Sequence, residues 1–287
     1  MLRSRLAGFI VVLISTVLWS TAGLFVQMAD LDTWSVVAWR SLFSILALGV
    51  FWVVATGNRA ATLQATLRGP GMLAILIGIV GGISYIVALQ MTSVANVMTV
   101  YAALPFIASA IAFFALGERV TTRFVVCGLI ASFGILIMSG SALSFNDIVG
   151  IVTALVMTVS FAAALVQAKR YPHLDMTLVT VLSTVATGII ALPLMKNSAP
   201  EPYQLLACAL LGTLTTGVAN VLSLVGGRLI RSGEAAFLLL LDVVLGPLWV
   251  WLAFDEQVGM PALIGGSIVM GAVTWYLVRP GETAKTA

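Results

Sequence analysis

Two ionisable residues fall inside long apolar runs, where a charge needs a reason. Asp242 lies near the middle of a run from about 233 to 253, and Arg40 lies in one from 34 to 55. At the centre of a lipid-embedded helix such a charge costs at least about 2.5 to 3.5 kcal/mol on insertion scales. Two kinds of chemistry fit Asp242: taking up and releasing a proton, or holding the amino group of a zwitterionic solute. The structural alternative is an ion pair or hydrogen bond with Arg40 or Asn220. Arg40 stands two turns inside the end of its run. Its long stem can snorkel to the interface, which favours a structural role over binding a carboxylate.

Other chemistry is thin. The only histidine, His173, follows Pro172 in a polar connector, and there is no His-Glu-x-x-His. With one carboxylate at depth and no nucleophile beside a base, an enzyme is not expected, and neither is a metal or another cofactor. No Gly-x-x-x-x-Gly-Lys-Ser/Thr stretch is present, so a P-loop does not supply ATP energy. Cys127 and Cys208 sit inside apolar runs, where small packing residues are the expected role.

What the runs offer instead is polar and aromatic side chains at helical spacing. Gly212, Thr216, Asn220, Ser223 and Gly227 recur every three or four residues; Thr16, Ser20, Gly23 and Gln27 do the same, as do Gly78, Gly81, Gly82 and Tyr85. Small residues let helices approach closely, and their polar neighbours are candidates to line a hydrated cavity. Trp19, Tyr85, Tyr101, Phe161 and Phe237 are the aromatics farthest from the ends of their runs. Trp34, Trp39, Trp249, Trp251 and Trp275 lie nearer the ends and read as interfacial or lipid-facing. The cavity set is therefore Trp19, Tyr85, Tyr101, Phe161, Asn220, Ser223, Phe237 and Asp242. Pro105 and Pro247 remove helix donors and are the candidate hinges.

The elements that must position these residues follow from composition. Only 25 of 287 residues are charged, 14 basic and 11 acidic, against roughly a quarter in soluble domains. Mean hydropathy is +1.12. Too little ionic surface remains for a soluble globule. At about 20 residues per span, the chain divides into ten apolar segments: 7–28, 34–55, 71–91, 96–116, 124–142, 148–168, 176–195, 203–226, 233–253 and 261–278. Their length excludes barrel strands. With the N-terminus cytoplasmic, twelve Lys and Arg fall on that side and Lys196 alone on the other, a positive-inside signal that places both termini in the cytoplasm. The modest net charge of +3 reflects orientation rather than nucleic-acid binding. Glu234, opening the ninth segment, fits the positive end of a helix dipole.

The two halves echo each other. An offset of 138 aligns Phe113 with Trp251, Glu118 with Glu256 and Gly128 with Gly266, while Gly8 and Trp19 are spaced like Gly150 and Phe161. The expected fold is all-α: ten transmembrane helices as two five-helix repeats, 1–142 and 143–280, with residues 281–287 a cytoplasmic tail. Five is odd, so the second copy enters from the opposite face. Inverted repeats of this kind hold a substrate near the midplane and alternate access to it.

Pro105 followed thirteen residues later by Gly117-Glu118, Asp255-Glu256 closing the ninth segment, the lone Arg40, and Asp242 fourteen residues before Glu256 together resemble the EamA family of the drug/metabolite transporter superfamily. One departure is Val243, where the family often has proline after the acid; Pro247 comes four residues later. The resemblance implies gradient-driven export of small metabolites across a bacterial inner membrane. In size and pattern the chain is similar to YddG-type exporters of aromatic and other neutral amino acids. Arg40, Glu118 and Glu256 then form a structural signature, with the two glutamates fixing turns. A multidrug or cationic-metabolite exporter, and a uniporter or channel-like facilitator, are the alternatives. The expected partners are a small-molecule substrate, the lipid bilayer and protons, with no nucleic acid. A monomer suffices because the cavity lies within one chain, and glycine faces could add a weak homodimer.

Overall fold

In the computed structural model, residues 2–57, 59–91, 97, 100–118, 120–139, 147–196, 199–254 and 260–278 are described. Every regular element among them is helical: α1 (Leu2–Ser20), α2 (Ala22–Ala29), α3 (Thr33–Ala55), α4 (Arg59–Thr66), α5 (Pro70–Met91), α6 (Leu104–Leu116), α7 (Thr122–Ser139), α8 (Asp147–Arg170), α9 (Met176–Ala191), α10 (Pro202–Leu210), a π-helix (Leu211–Ala219), α11 (Asn220–Gly227), α12 (Ser232–Leu239), α13 (Asp242–Phe254) and α14 (Met260–Val278), with a short 3₁₀ turn at Leu192–Leu194. Six helical stretches are long and apolar enough to cross a bilayer; α4 and α5 form a further pair bent by 71°, and parts of α6, α7 and α14 are shorter apolar helices. Apolar side chains such as Phe114, 86% exposed, face outward. Lipid, not water, is the solvent that such a surface fits.

Helix ends fall where the sequence carries capping chemistry. The Asp32 carboxylate accepts from Ser35 N–H at 3.2 Å to open α3, and Asp175 accepts from Thr177 and Leu178 N–H at 2.9 and 3.2 Å to open α9. Gly117 closes α6 in the left-handed region at φ 67°, which glycine adopts without strain. Three features depart from the expected straight spans. Residues 59–66 form a helix where a connector was expected, and at Gly71 a Cβ would lie 2.1 Å from the Thr66 carbonyl, so the bend needs glycine. The eighth segment passes into π geometry at Leu211–Ala219, where Gly212, Thr213, Thr215, Thr216 and Gly217 concentrate weak helix formers.

The third departure concerns the hinges. The fourth segment breaks at Ala102–Ala103 and the ninth at Leu240–Leu241, 138 positions apart. Ala103 N–H bonds Val100 O at 3.0 Å and Ile107 N–H bonds Ala103 O at 3.0 Å; Leu241 N–H bonds Leu238 O at 3.1 Å and Leu245 N–H bonds Leu241 O at 2.9 Å. Pro105 sits just inside the helix after its break. Pro247 lies inside α13, six residues beyond the other break, so the break there is not placed by the proline. Both halves keep the discontinuity although only one has a proline beside it.

Packing repeats the same correspondence. α5 lies on α8 as α1 lies on α11, and α6 lies on α8 as α1 lies on α12 and α13; α9 lies on α5 as α3 lies on the π-helix. α3 with α9, α6 with α12, and α7 with α14 pair across the halves. Exchanging first-half for second-half segments preserves these neighbours. Self-corresponding pairs run antiparallel. Trp52 Nε1 donates to Asp175 Oδ2 at 2.9 Å near one end of α3, while Gly188 meets Ser41 nearer the other. Arg123, at the start of α7, reaches the Trp275 carbonyl at the end of α14, whereas Gly134 lies against Ile268. A twofold axis perpendicular to the helices has both properties.

Candidate functional site

A cavity of about 110 Å³ lies between residues of the two halves. At roughly 10–15 Å³ per water centre, it holds several waters or one small solute. The first half contributes Trp19 from α1, Arg40 and Ser41 from α3, and Gly78, Gly81, Gly82 and Tyr85 from α5. The second contributes Ser160 and Phe161 from α8, Thr180, Ser183, Thr184 and Thr187 from α9, Thr216 from the π-helix, and Asn220 and Ser223 from α11. The rings of Trp19 and Phe161 meet edge to face at 5.8 Å.

The α9 wall is a ladder of hydroxyls at helical spacing. Thr180, Ser183, Thr184 and Thr187 each donate to the carbonyl four residues back, at 2.7–2.8 Å. Their protons are committed to the helix, so their oxygens are left as acceptors. Thr180 accepts from Asn220 Nδ2 at 3.1 Å. Other polar groups of the lining are different. Arg40 Nε, Ser41 Oγ and Thr216 Oγ1 are buried and have no hydrogen-bond partner, and Arg40 is only 8% exposed.

Burial of Arg40 corrects the expected snorkelling. α3 is held from two sides, with Gly188 of α9 against Ser41 and Gly212 of the π-helix against the Arg40 backbone. Position 40 therefore faces the bundle interior. Neither an Arg40–Asp242 nor an Asn220–Asp242 link is present; among the described residues the ion pairs are Arg5–Glu234 at 2.6 Å and Lys169–Glu118 at 2.8 Å.

Those two pairs join the halves at the end where the basic residues gather. Glu118 also accepts from Ser232 N–H at 3.0 Å and from Ser232 Oγ at 3.3 Å, tying the α6–α7 turn to the start of α12. Glu234 accepts from Arg231 N–H at 3.2 Å, a first-turn cap, and from Tyr276 Oη at 2.7 Å. Nearby, Arg228 donates to the Ala168 and Leu174 carbonyls at 2.8 and 2.7 Å. Burial lowers the Arg228 pKa, and the Asp175 carboxylate opposes that shift.

The EamA-like transporter family model matches the chain twice, over residues 6–140 and 148–278. The chain belongs to the EamA-like transporter family. It is a multi-pass membrane transporter of small molecules built from two EamA repeats. A solved crystal structure 20% identical in sequence superposes with a TM-score of 0.78, covering 96% of this chain and 98% of the other; at that identity the likeness speaks for the fold. No curated protein matches the chain.

Within this EamA fold, Trp19, Tyr85, Phe161, Asn220 and Ser223 line the cavity, whereas Tyr101, Phe237 and Asp242 do not. Tyr101 stands behind the wall, its ring 6.4 Å from that of Phe161. Phe237 is fully buried with Phe124 and Tyr276, at 6.3 and 5.4 Å, because α12 is enclosed by α6, α8 and α1. Asp242 opens α13 directly after the break, within electrostatic range of Tyr85 and Tyr101. Trp249, expected at the interface, donates to Ser20 Oγ at 2.8 Å and belongs to the bundle. Gly212 and Gly227 lie at the ends of their expected polar face against Arg40 and Leu165, while Thr216, Asn220 and Ser223 between them reach the cavity. Glu256 lies outside the described residues. The α9 ladder was missed, although Thr180, Thr184 and Thr187 carry the same i, i+4, i+7 signal as the stripes that were read.

Proposed function

We propose that the chain is a secondary exporter of aromatic and other neutral amino acids, of the YddG type, in a bacterial inner membrane. Ten spans form inverted halves at 1–142 and 143–280, with both termini and the 281–287 tail cytoplasmic, and the halves alternate access to the cavity. The antiparallel crossing of α3 with α9 and of α7 with α14 supports the inversion. The matched breaks at Ala102–Ala103 and Leu240–Leu241 supply one joint per half.

The observation that carries the substrate reading is the wall itself. Trp19, Tyr85 and Phe161 provide flat apolar contact beside hydroxyls and one guanidinium. An apolar lining with a few converging polar groups suits a small amphipathic solute, and an unpaired Arg40 disfavours lipophilic cations. Asp242 lies outside the cavity lining but within electrostatic range of Tyr85 and Tyr101, which favours proton uptake over direct contact with a substrate amine. A monomer is the working unit, since Gly78, Gly81 and Gly226 are spent on contacts within the chain.

Exchange and efflux in proteoliposomes, with a panel of neutral amino acids and lipophilic cations and with or without a pH gradient, test this. Movement of phenylalanine or tryptophan, accelerated by the gradient, is expected. Transport of the cations alone would refute the amino-acid assignment, and gradient-independent exchange would refute proton coupling.

A further inference from the structure

We propose that Arg40, with the Ser41 and Thr216 hydroxyls beside it, is a carboxylate-binding subsite, so the cavity takes monocarboxylates and discriminates against analogues whose carboxyl group is neutralised. This deepens the reading above and rests on its cavity. Arg40 is more than nine-tenths buried and lies on the cavity wall. No residue among those described accepts from its guanidinium, and its Nε is buried without a partner. Among the described residues the ion pairs use Arg5 and Lys169, and the cation–aromatic contacts use Arg5, Arg123 and Arg170. Among the described residues, the ionisable groups acting on Arg40 are Tyr85 and Cys208, and neither is a carboxylate.

A buried guanidinium without an acceptor is costly. The cost is retained in a cavity where two further donors, Ser41 Oγ and Thr216 Oγ1, also lack partners. All three line the same cavity, Arg40 and Ser41 from α3 and Thr216 from the π-helix, which meets α3 at backbone distance through Gly212. Their shared need is a compact acceptor with several lone pairs. A planar carboxylate matches the guanidinium fork in two parallel hydrogen bonds, leaving a lone pair on each oxygen for the hydroxyls. One guanidinium balances one negative charge, so a monocarboxylate fits better than inorganic phosphate. The aromatic rings of Trp19, Tyr85 and Phe161 receive the remainder of the solute.

The test uses the purified full-length chain with phenylalanine, phenylacetate, phenylalaninamide and inorganic phosphate, reading binding by calorimetry and unfolding temperature with and without ligand. Truncating one member of a buried charged pair lowers affinity by about 30-fold or more. The wild type is expected to bind at least one of the two acids about 30-fold more tightly than the amide, and Arg40→Gln to lose that preference. Because Arg40 has no partner to lose, unliganded Arg40→Gln is expected to unfold at or above the wild-type temperature, and Arg40→Lys to keep a weakened preference.

If phenylacetate binds and phenylalanine does not, the amino-acid reading falls and the carboxylate subsite stands. If the amide binds as tightly as the acids, or Arg40→Gln keeps the preference, the subsite falls while the exporter reading stands. Phosphate binding in place of both acids overturns the carboxylate assignment, and no binding by any of the four overturns both. An Arg40→Gln protein that unfolds below wild type with acid affinity unchanged identifies a structural arginine and refutes the subsite.

Discussion

Replacing Gly212 with alanine tests the packing on which the donor wall depends. A Cβ there would lie 2.2 Å from the Arg40 carbonyl oxygen, 3.0 Å from Arg40 C and 3.1 Å from Ser44 N. Ordinary contact begins near 3.4 Å, so α3 and the π-helix must separate by about 1.2 Å. The obstructing atoms are backbone, so no rotamer relieves the clash. The π-helix also packs on α1, where Ser15 Oγ donates to the Ala219 carbonyl at 2.7 Å. Overpacking of this kind costs about 1–3 kcal/mol. Gly23→Ala is the control, since nothing lies within 4 Å of a Cβ there. Thermal unfolding in detergent should place Gly212→Ala several degrees below both wild type and Gly23→Ala, with proteoliposome exchange reduced because Arg40 moves with α3. Equal unfolding temperatures for the two variants would refute the close approach and the donor wall built on it.

Glu118→Ala leaves the Lys169 ammonium, 25% exposed, and Ser232 without their carboxylate; with Lys169→Met it forms a double-mutant cycle expected to give a coupling of about 0.5–1 kcal/mol after solvent screening, and zero coupling would remove the pair as a clamp between the halves. Phe161→Leu removes edge contacts to both Trp19 and Tyr101, each worth about 0.5–1.5 kcal/mol; the exchange KM for aromatic substrates should rise severalfold while that for alanine stays flat, and equal changes for both would contradict an aromatic-facing wall. Asp242→Asn cannot take up and release a proton; efflux should lose its dependence on the pH gradient while gradient-free exchange survives, and an unaltered pH response would remove Asp242 from coupling.

The helical positions were legible because their punctuation is chemical. Gly117, read with Glu118 in the sequence, closes α6, and the structure adds Asp32 and Asp175 as caps. Helical spacing also found the cavity-facing parts of α5 and of the eighth segment, since polar and small side chains avoid lipid. Spacing groups Gly212 with Thr216 and Asn220, however, whereas contacts separate them: Gly212 is taken up by the α3 backbone while Thr216 and Asn220 reach the cavity. Direction was the harder problem. Distance from a helix end suggested that Arg40 escapes to the interface, but contacts on both sides of α3 decide which way it faces. Phe237 was misplaced for the same reason, because aromatic character does not say whether a residue meets a cavity or three other helices. The breaks at Ala102–Ala103 and Leu240–Leu241 carry no residue pattern in common; the backbone repeats what the side chains do not.

The central claim is that two oppositely inserted halves expose one cavity to each side in turn. Thr184→Cys, in a background with Cys127 and Cys208 replaced, puts a thiol on the cavity wall. Labelling with a membrane-impermeant maleimide in sealed right-side-out and inside-out vesicles measures access from each side. Modification in both preparations, slowed in both by a transported amino acid, is the expected result; modification from one side alone, under every substrate and gradient condition, would contradict the account.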